Sequence, residues 1–266
     1  MIQRFSEDID LILDWRLLGY EKDEPWQDRS KTKQDAFNKE ADARAAAFLA
    51  NAFLPTFAAD LSEIIEQDAR VEIDQVNPQI VNFHYPQLFS ANSILQSICL
   101  ELGALAAWTP AVERPVQPYV FEQYPKLAQA TSTTILTSSA ERTFWEKVTI
   151  LHHEANRPAH LDMPARYSRH YYDLYCISRT GHKSAALKQL ELLQKVVAFK
   201  MKFYPRAWAK YEEAIPGSVR LVPPPSRFNA LRSDYEGTRE MLFGEYPTFD
   251  DLMAEIAKLE AELNQS

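Results

Sequence analysis

The chain has 266 residues, 46% of them hydrophobic and 25% charged, a formal net charge of -8 and two cysteines. This apolar content excludes a chain disordered over most of its length, and the size allows one large core or two smaller ones. Cys99 and Cys176 lie far apart in apolar surroundings, which excludes a disulfide framework and a paired-cysteine zinc site. No run approaches the roughly 20 apolar residues that span a bilayer, and Arg4, Glu7, Asp8 and Asp10 leave no apolar signal core, so a cytosolic protein is expected.

In chain order, Asp8-Ile9-Asp10-Leu11-Ile12-Leu13 reads as a first strand over 8–13. A charged loop near 20–33 leads to an alanine-rich helix over about 34–54, which Pro55 is expected to close, and a short helix follows to about Gln67. Residues 70–74 and 79–85 read as paired strands around Asn77-Pro78, because proline turns the preceding residue away from helix. Residues 94–103 form another apolar strand, and the β-branched run Thr133 to Thr137 a further one. Ser138-x-x-Glu141 has the spacing of a capping box, and from there the pattern is mainly helical. Pro223-Pro224-Pro225 interrupts it. The last helix places Phe249, Leu252, Ile256, Leu259 and Leu263 on one face, with Thr248 as N-cap. The expected fold class is α+β, with a mixed sheet and helices over 1–135 and an α-helical domain over 136–266.

Asp8 and Asp10, one residue apart on a strand, point to one face about 6.6 Å apart along it. That spacing suits hard cations held roughly 3.5–4 Å apart, as in two-metal phosphoryl transfer, and it points to metal-dependent nucleotidyl transfer. The same pair also fits the solvated face of a half-buried strand, with Ile9, Leu11 and Leu13 behind it. Glu101 interrupts the apolar strand Ile98-Cys99-Leu100-Glu101-Leu102, where a carboxylate is costly unless it meets a cation; a third metal ligand and an outward Glu on a sheet edge both account for it. Glu72 has a similar setting and is its rival.

Lys147 sits at the margin of a helical apolar stripe, either as a charge aimed at triphosphate oxygens or as a side chain reaching along its stem to water. Asp173 is a candidate either to orient that lysine or to position the substrate, and Arg169 and His170 are candidate phosphate contacts. The cluster His152-His153-Glu154 with His160 lacks the two-histidine helical zinc spacing, since Arg157 stands four residues after His153. No glycine-rich phosphate loop and no serine or cysteine nucleophile elbow is present. Charge is uneven: residues 142–210 hold 13 Lys/Arg against 5 Asp/Glu, leaving 16 against 32 elsewhere. A basic middle facing carboxylates suits a nucleoside triphosphate or an RNA end, and equally a solvated helical surface.

Arg4 to Leu13, Tyr85-Pro86, Leu100-Glu101-Leu102-Gly103, Arg142 to Lys147, Arg169 to Tyr175, Asp234-Tyr235 and Phe243-Gly244, in that order, resemble the AbiEii/AbiGii family of nucleotidyltransferase toxins of the polymerase-β-type superfamily. The resemblance covers nearly the whole chain. It implies a nucleotidyltransferase-like first domain, Asp8 and Asp10 as paired metal ligands with Glu101 as the third carboxylate, and Lys147 with Asp173 as the catalytic pair of the second domain. It further implies two Mg²⁺ ions, a nucleoside triphosphate substrate, a tRNA or protein hydroxyl as acceptor, growth arrest in phage defence, and a cognate antitoxin. One departure stands out: family members carry a Gly-Gly-Ser/Thr signature a dozen or more residues before the aspartates, and only seven residues precede Asp8 here. An N-terminally truncated fragment with little or no activity is expected; the alternative is a degenerate, non-catalytic module that binds RNA or protein.

Overall fold

The computed structural model describes residues 2–6, 8–65, 69–86, 97–103, 105–106, 110–127 and 133–265. Strand β1 (Asp8–Ile12) is followed by two short 3₁₀ turns and then by α1 (Lys31–Phe48), opened by Ser30, whose hydroxyl accepts the Lys33 N–H. The helix does not stop at Pro55. A π-helical stretch, Leu49–Phe53, carries it into α2 (Leu54–Ile64). Pro55 falls in the first turn of α2, where a missing N–H is no loss, and the wider π turn gives its ring room. The continuous 34-residue helix is long and apolar enough, by length and composition, to cross a bilayer. Its Ala41, Ala45 and Leu49, four residues apart, are fully buried in the protein core.

Strands β2 (Arg70–Ile73) and β3 (Ile80–His84) pair antiparallel around a turn in which Asp74 accepts the Val76 and Asn77 N–H groups. Strand β4 (Ser97–Gly103) pairs antiparallel with β3 and parallel with β1, giving a four-stranded mixed sheet of order β1-β4-β3-β2. Residues 94–96 of the expected strand, and the end of the short helix expected to reach Gln67, lie outside the described residues. Strand β5 (Ala111–Val116), unforeseen in the sequence, leads to the short α3 (Val120–Gln123) and pairs with β6 (Thr133–Ser138) in a separate two-stranded ribbon.

The helical region opens with α4 (Ala140–Ala155). Its N-cap is Ser139, whose hydroxyl accepts the Arg142 N–H, and not Ser138; with Arg142 at the third position after the cap, the expected capping box does not form. Glu141 is thereby freed to pair with His182. Helices α5 (Ser168–Ser178), α6 (Gly181–Leu187), α7 (Leu190–Phe203), α8 (Phe228–Gly237) and α9 (Phe249–Gln265) complete it. Thr248 caps α9 as expected, and all five of its stripe residues are buried.

Two hydrophobic clusters result. One joins Trp145, Tyr171, Leu174 and Val196 to the α9 stripe; the other joins Trp15, Leu18, Phe37, Ala41, Val81 and Leu100. The second is completed by Phe199 and Phe203 of α7, so the helical region supplies part of the sheet's own core. The ring of Phe203 meets Trp26 edge-on at 5.3 Å.

Candidate active site

The parallel pairing of β1 with β4 sets Asp8 opposite Cys99 and Asp10 opposite Glu101. Alternation along both strands then directs Asp8, Asp10 and Glu101 to one face, while Leu100 and Leu102 are buried on the other. Asp10 and Glu101 keep solvent access by residue surface, while the surrounding atoms still crowd their carboxylates enough to disfavour the charged form. Ile9 is also open to solvent and Leu13 is buried, so the apolar backing of β1 tightens only toward its end. Glu72 is at the opposite edge of the sheet, held by Arg70 at 3.2 Å and by His84 at 3.1 Å. Sheet order thus keeps Glu72 from the other carboxylates.

Facing these acids are the cations of α4 and α5. Asp173, 1% exposed, accepts from Arg4 Nε at 2.7 Å and Nη2 at 2.9 Å, and its Oδ2 is also 2.9 Å from Lys147 Nζ. Lys147 Nζ lies 3.1 Å from His170 Nδ1. An ammonium has only donors, so Nδ1 accepts and the imidazole carries its proton on Nε2. Burial, then the neighbouring Lys147, push the His170 pKa down to about 2. His170 therefore carries a neutral N–H and no charge. Arg169 reaches Asp8 at 3.6 Å, and the Ser6 hydroxyl donates to Asp8 Oδ1 at 2.5 Å.

The electrostatics separate the three carboxylates. Burial raises the Asp8 pKa, but Ser6 and Arg169 outweigh it and hold the group below the usual range. Asp10 is raised, by burial and then by repulsion from Asp8, and Glu101 is raised by burial and then by Asp10 and Asp8. Asp173 stays low despite its burial, because Arg4 and Lys147 bind its charged form.

Among the described residues, no three His, Cys, Asp or Glu side chains converge closely enough to hold a metal ion as they stand. The donor set still fits a hard divalent cation: three carboxylates on one face, two of them raised by burial and then by the charge of neighbouring carboxylates, a repulsion that a cation relieves. The histidines near the end of α4 serve elsewhere. His152 accepts the Arg220 N–H and bonds the Lys210 carbonyl, and His153 packs against Trp208 and Tyr211.

Three neighbours of the site were not foreseen in the sequence: Arg4, Glu146, whose charge Asp10 feels, and Tyr204, whose phenol feels Glu101 and Glu146. Arg4 had a signal, since it opens the Arg4 to Leu13 segment. Tyr204 had none, because it is on the far side of the chain from β4.

A small mixed sheet whose acids face Lys147 and Arg169 of a following helical region defines an α+β protein with acids and bases set against one another. A family model described as nucleotidyl transferase AbiEii toxin, type IV toxin–antitoxin system, matches residues 1–255, and the chain belongs to this family. Nucleotidyltransferase activity and an antitoxin partner hold at the level of the family. No curated protein and no solved structure matches the chain.

Proposed function

We propose that the chain's site is built for Mg²⁺-dependent transfer of a nucleotide from a nucleoside triphosphate to a hydroxyl of RNA, tRNA being the expected class, or of a protein, in the cytosol. The observation that carries this reading is the register of β1 on β4, which sets Asp10 beside Glu101 with Asp8 on the same face, across from Lys147 and Asp173. Mg²⁺ held by Asp8, Asp10 and Glu101 would neutralise the triphosphate and lower the pKa of the acceptor hydroxyl.

The chain's own residues do the rest. Lys147 binds phosphate oxygens, Arg169 adds a second positive charge beside Asp8, and His170 donates its neutral N–H. Asp173 fixes the direction of Lys147. The acceptor oxygen attacks the α-phosphorus in line, the bond to the bridging oxygen breaks, pyrophosphate leaves and the hydroxyl proton passes to solvent. Catalysis of this kind is mostly positioning and stabilisation of developing charge.

Calorimetry with a nucleoside triphosphate, with and without Mg²⁺, tests the binding step, and transfer of labelled nucleotide to total RNA tests the chemistry. Metal-dependent binding that Asp8→Ala and Asp10→Ala abolish is the expected result. Binding of RNA that ignores Mg²⁺ and weakens steeply with salt, without nucleotide binding, would replace this reading with that of a non-catalytic module.

A further inference from the structure

The stretch that leads into β1 is woven into the helical region. The Phe243 N–H and the Tyr172 hydroxyl both donate to the Gln3 carbonyl, Phe5 N–H donates to the Met241 carbonyl at 2.8 Å, and Arg4 forms an antiparallel bridge with Leu242. The rings of Phe5 and Phe243 meet at 5.3 Å. The strap is anchored by these backbone and ring contacts, and the Arg4 guanidinium gives it only an Nη1 hydrogen bond to the Phe5 carbonyl at 3.1 Å; its Nε and Nη2 go to Asp173.

We propose that Arg4 is a positioning residue that shares the one negative charge of Asp173 with Lys147, so that the Lys147 ammonium is tethered in direction without being neutralised. Two cations, 13% and 16% exposed, meet a single carboxylate that is 1% exposed. The cluster therefore keeps a net charge of about +1 by counting ionised groups. Were Asp173 paired with Lys147 alone, the pair would be neutral and would attract a polyphosphate only through its dipole. The fork of Arg4 takes one hydrogen bond on each carboxylate oxygen. It thus fixes the plane of the carboxylate, and with it the position of the oxygen that holds Lys147. Of the three ammonium N–H groups, Asp173 and the neutral His170 take two, leaving one for a ligand oxygen.

This inference rests on the reading of Lys147 as a triphosphate-binding cation, and the test separates the two. The full chain and its variants are titrated with a nucleoside triphosphate and Mg²⁺ by calorimetry, and each is melted in parallel. Arg4→Gln should weaken binding about tenfold, the effect of one charge at roughly 8 Å in a partly screened site. Arg4→Lys keeps the charge and should stay within about threefold of the parent. Adding Asp173→Asn to Arg4→Gln removes the neutralising charge as well, keeps an amide oxygen that can accept from Lys147, and should recover most of the affinity. A strap with no electrostatic role gives the opposite pattern: lower melting temperatures for Arg4→Gln and Arg4→Lys alike, unchanged affinity for both, and no recovery in the double variant. That pattern, with the parent binding normally, would overturn this inference alone; a parent that binds no nucleotide would overturn it together with the proposed function.

Discussion

Replacing Asp10 by asparagine should stabilise the protein in chelator and destabilise it relative to the parent in magnesium. Neighbouring strands are about 4.8 Å apart, so the carboxylates of Asp10 and Glu101, which are in register, repel at about 5 Å. Both are exposed, and at the dielectric of water one such pair costs about 1 kcal/mol. Asp10→Asn removes that repulsion, and about 1 kcal/mol moves the Tm of a chain this size by about 2–4 °C. A cation reverses the order, since a ligand at ten times its Kd stabilises the native state by about 1.4 kcal/mol, and the variant has lost a ligand to it. Scanning calorimetry in EDTA and in a Mg²⁺ series should therefore show the two melting curves crossing. A parent Tm indifferent to Mg²⁺, or a variant that rises with it in parallel, would refute the placement of the cation between β1 and β4.

Other expectations concern the scaffold. Phe203→Ala, which empties a 5%-exposed position where α7 enters the sheet's core, should cost about 3–5 kcal/mol and expose the α1 and β3 amides first in hydrogen exchange. Burial lowers the Lys200 pKa to about 8, and no carboxylate pairs with its ammonium among the described residues. Folding there disfavours the charged form, so native stability grows as pH rises from 8 toward the ordinary lysine value; Lys200→Met should raise Tm at pH 7, with the gain shrinking near pH 10 in thermal melts. Burial, followed by repulsion from Lys200, holds the His153 pKa at about 3, so the unfolded chain takes up that proton first as pH falls below 6.5 and stability is lost over that window. His153→Gln should flatten the acid limb of a urea-unfolding series by about 2 kcal/mol between pH 7 and pH 5; an unchanged slope would show that His153 protonates within the fold.

Features governed by near neighbours were legible from the residues alone. The stripe of α9 with its Thr248 cap and the Asn77-Pro78 turn each depend on contacts within a few residues and took the expected form, whereas β1 formed as a strand without the expected backing, since Ile9 is exposed. The same local reasoning failed where a local signal had two solutions. Pro55 closes one helix or opens the next, and the π turn before it selects the second; Ser138 and Ser139 can each cap α4, and Ser139 does.

The site itself needed the tertiary structure. Glu72 and Glu101 are equivalent in sequence, each an acid between apolar strand residues. Only the order β1-β4-β3-β2 sets Glu101 beside Asp10 and carries Glu72 to the far edge. Arg4 and Asp173 are 169 positions apart, and Phe203 reaches a core built from residues at the other end of the chain. A one-dimensional pattern records which face a side chain prefers, because that preference repeats with the backbone's own period. Which other face comes to meet it depends on how sheet and helices pack, and no local period carries that information.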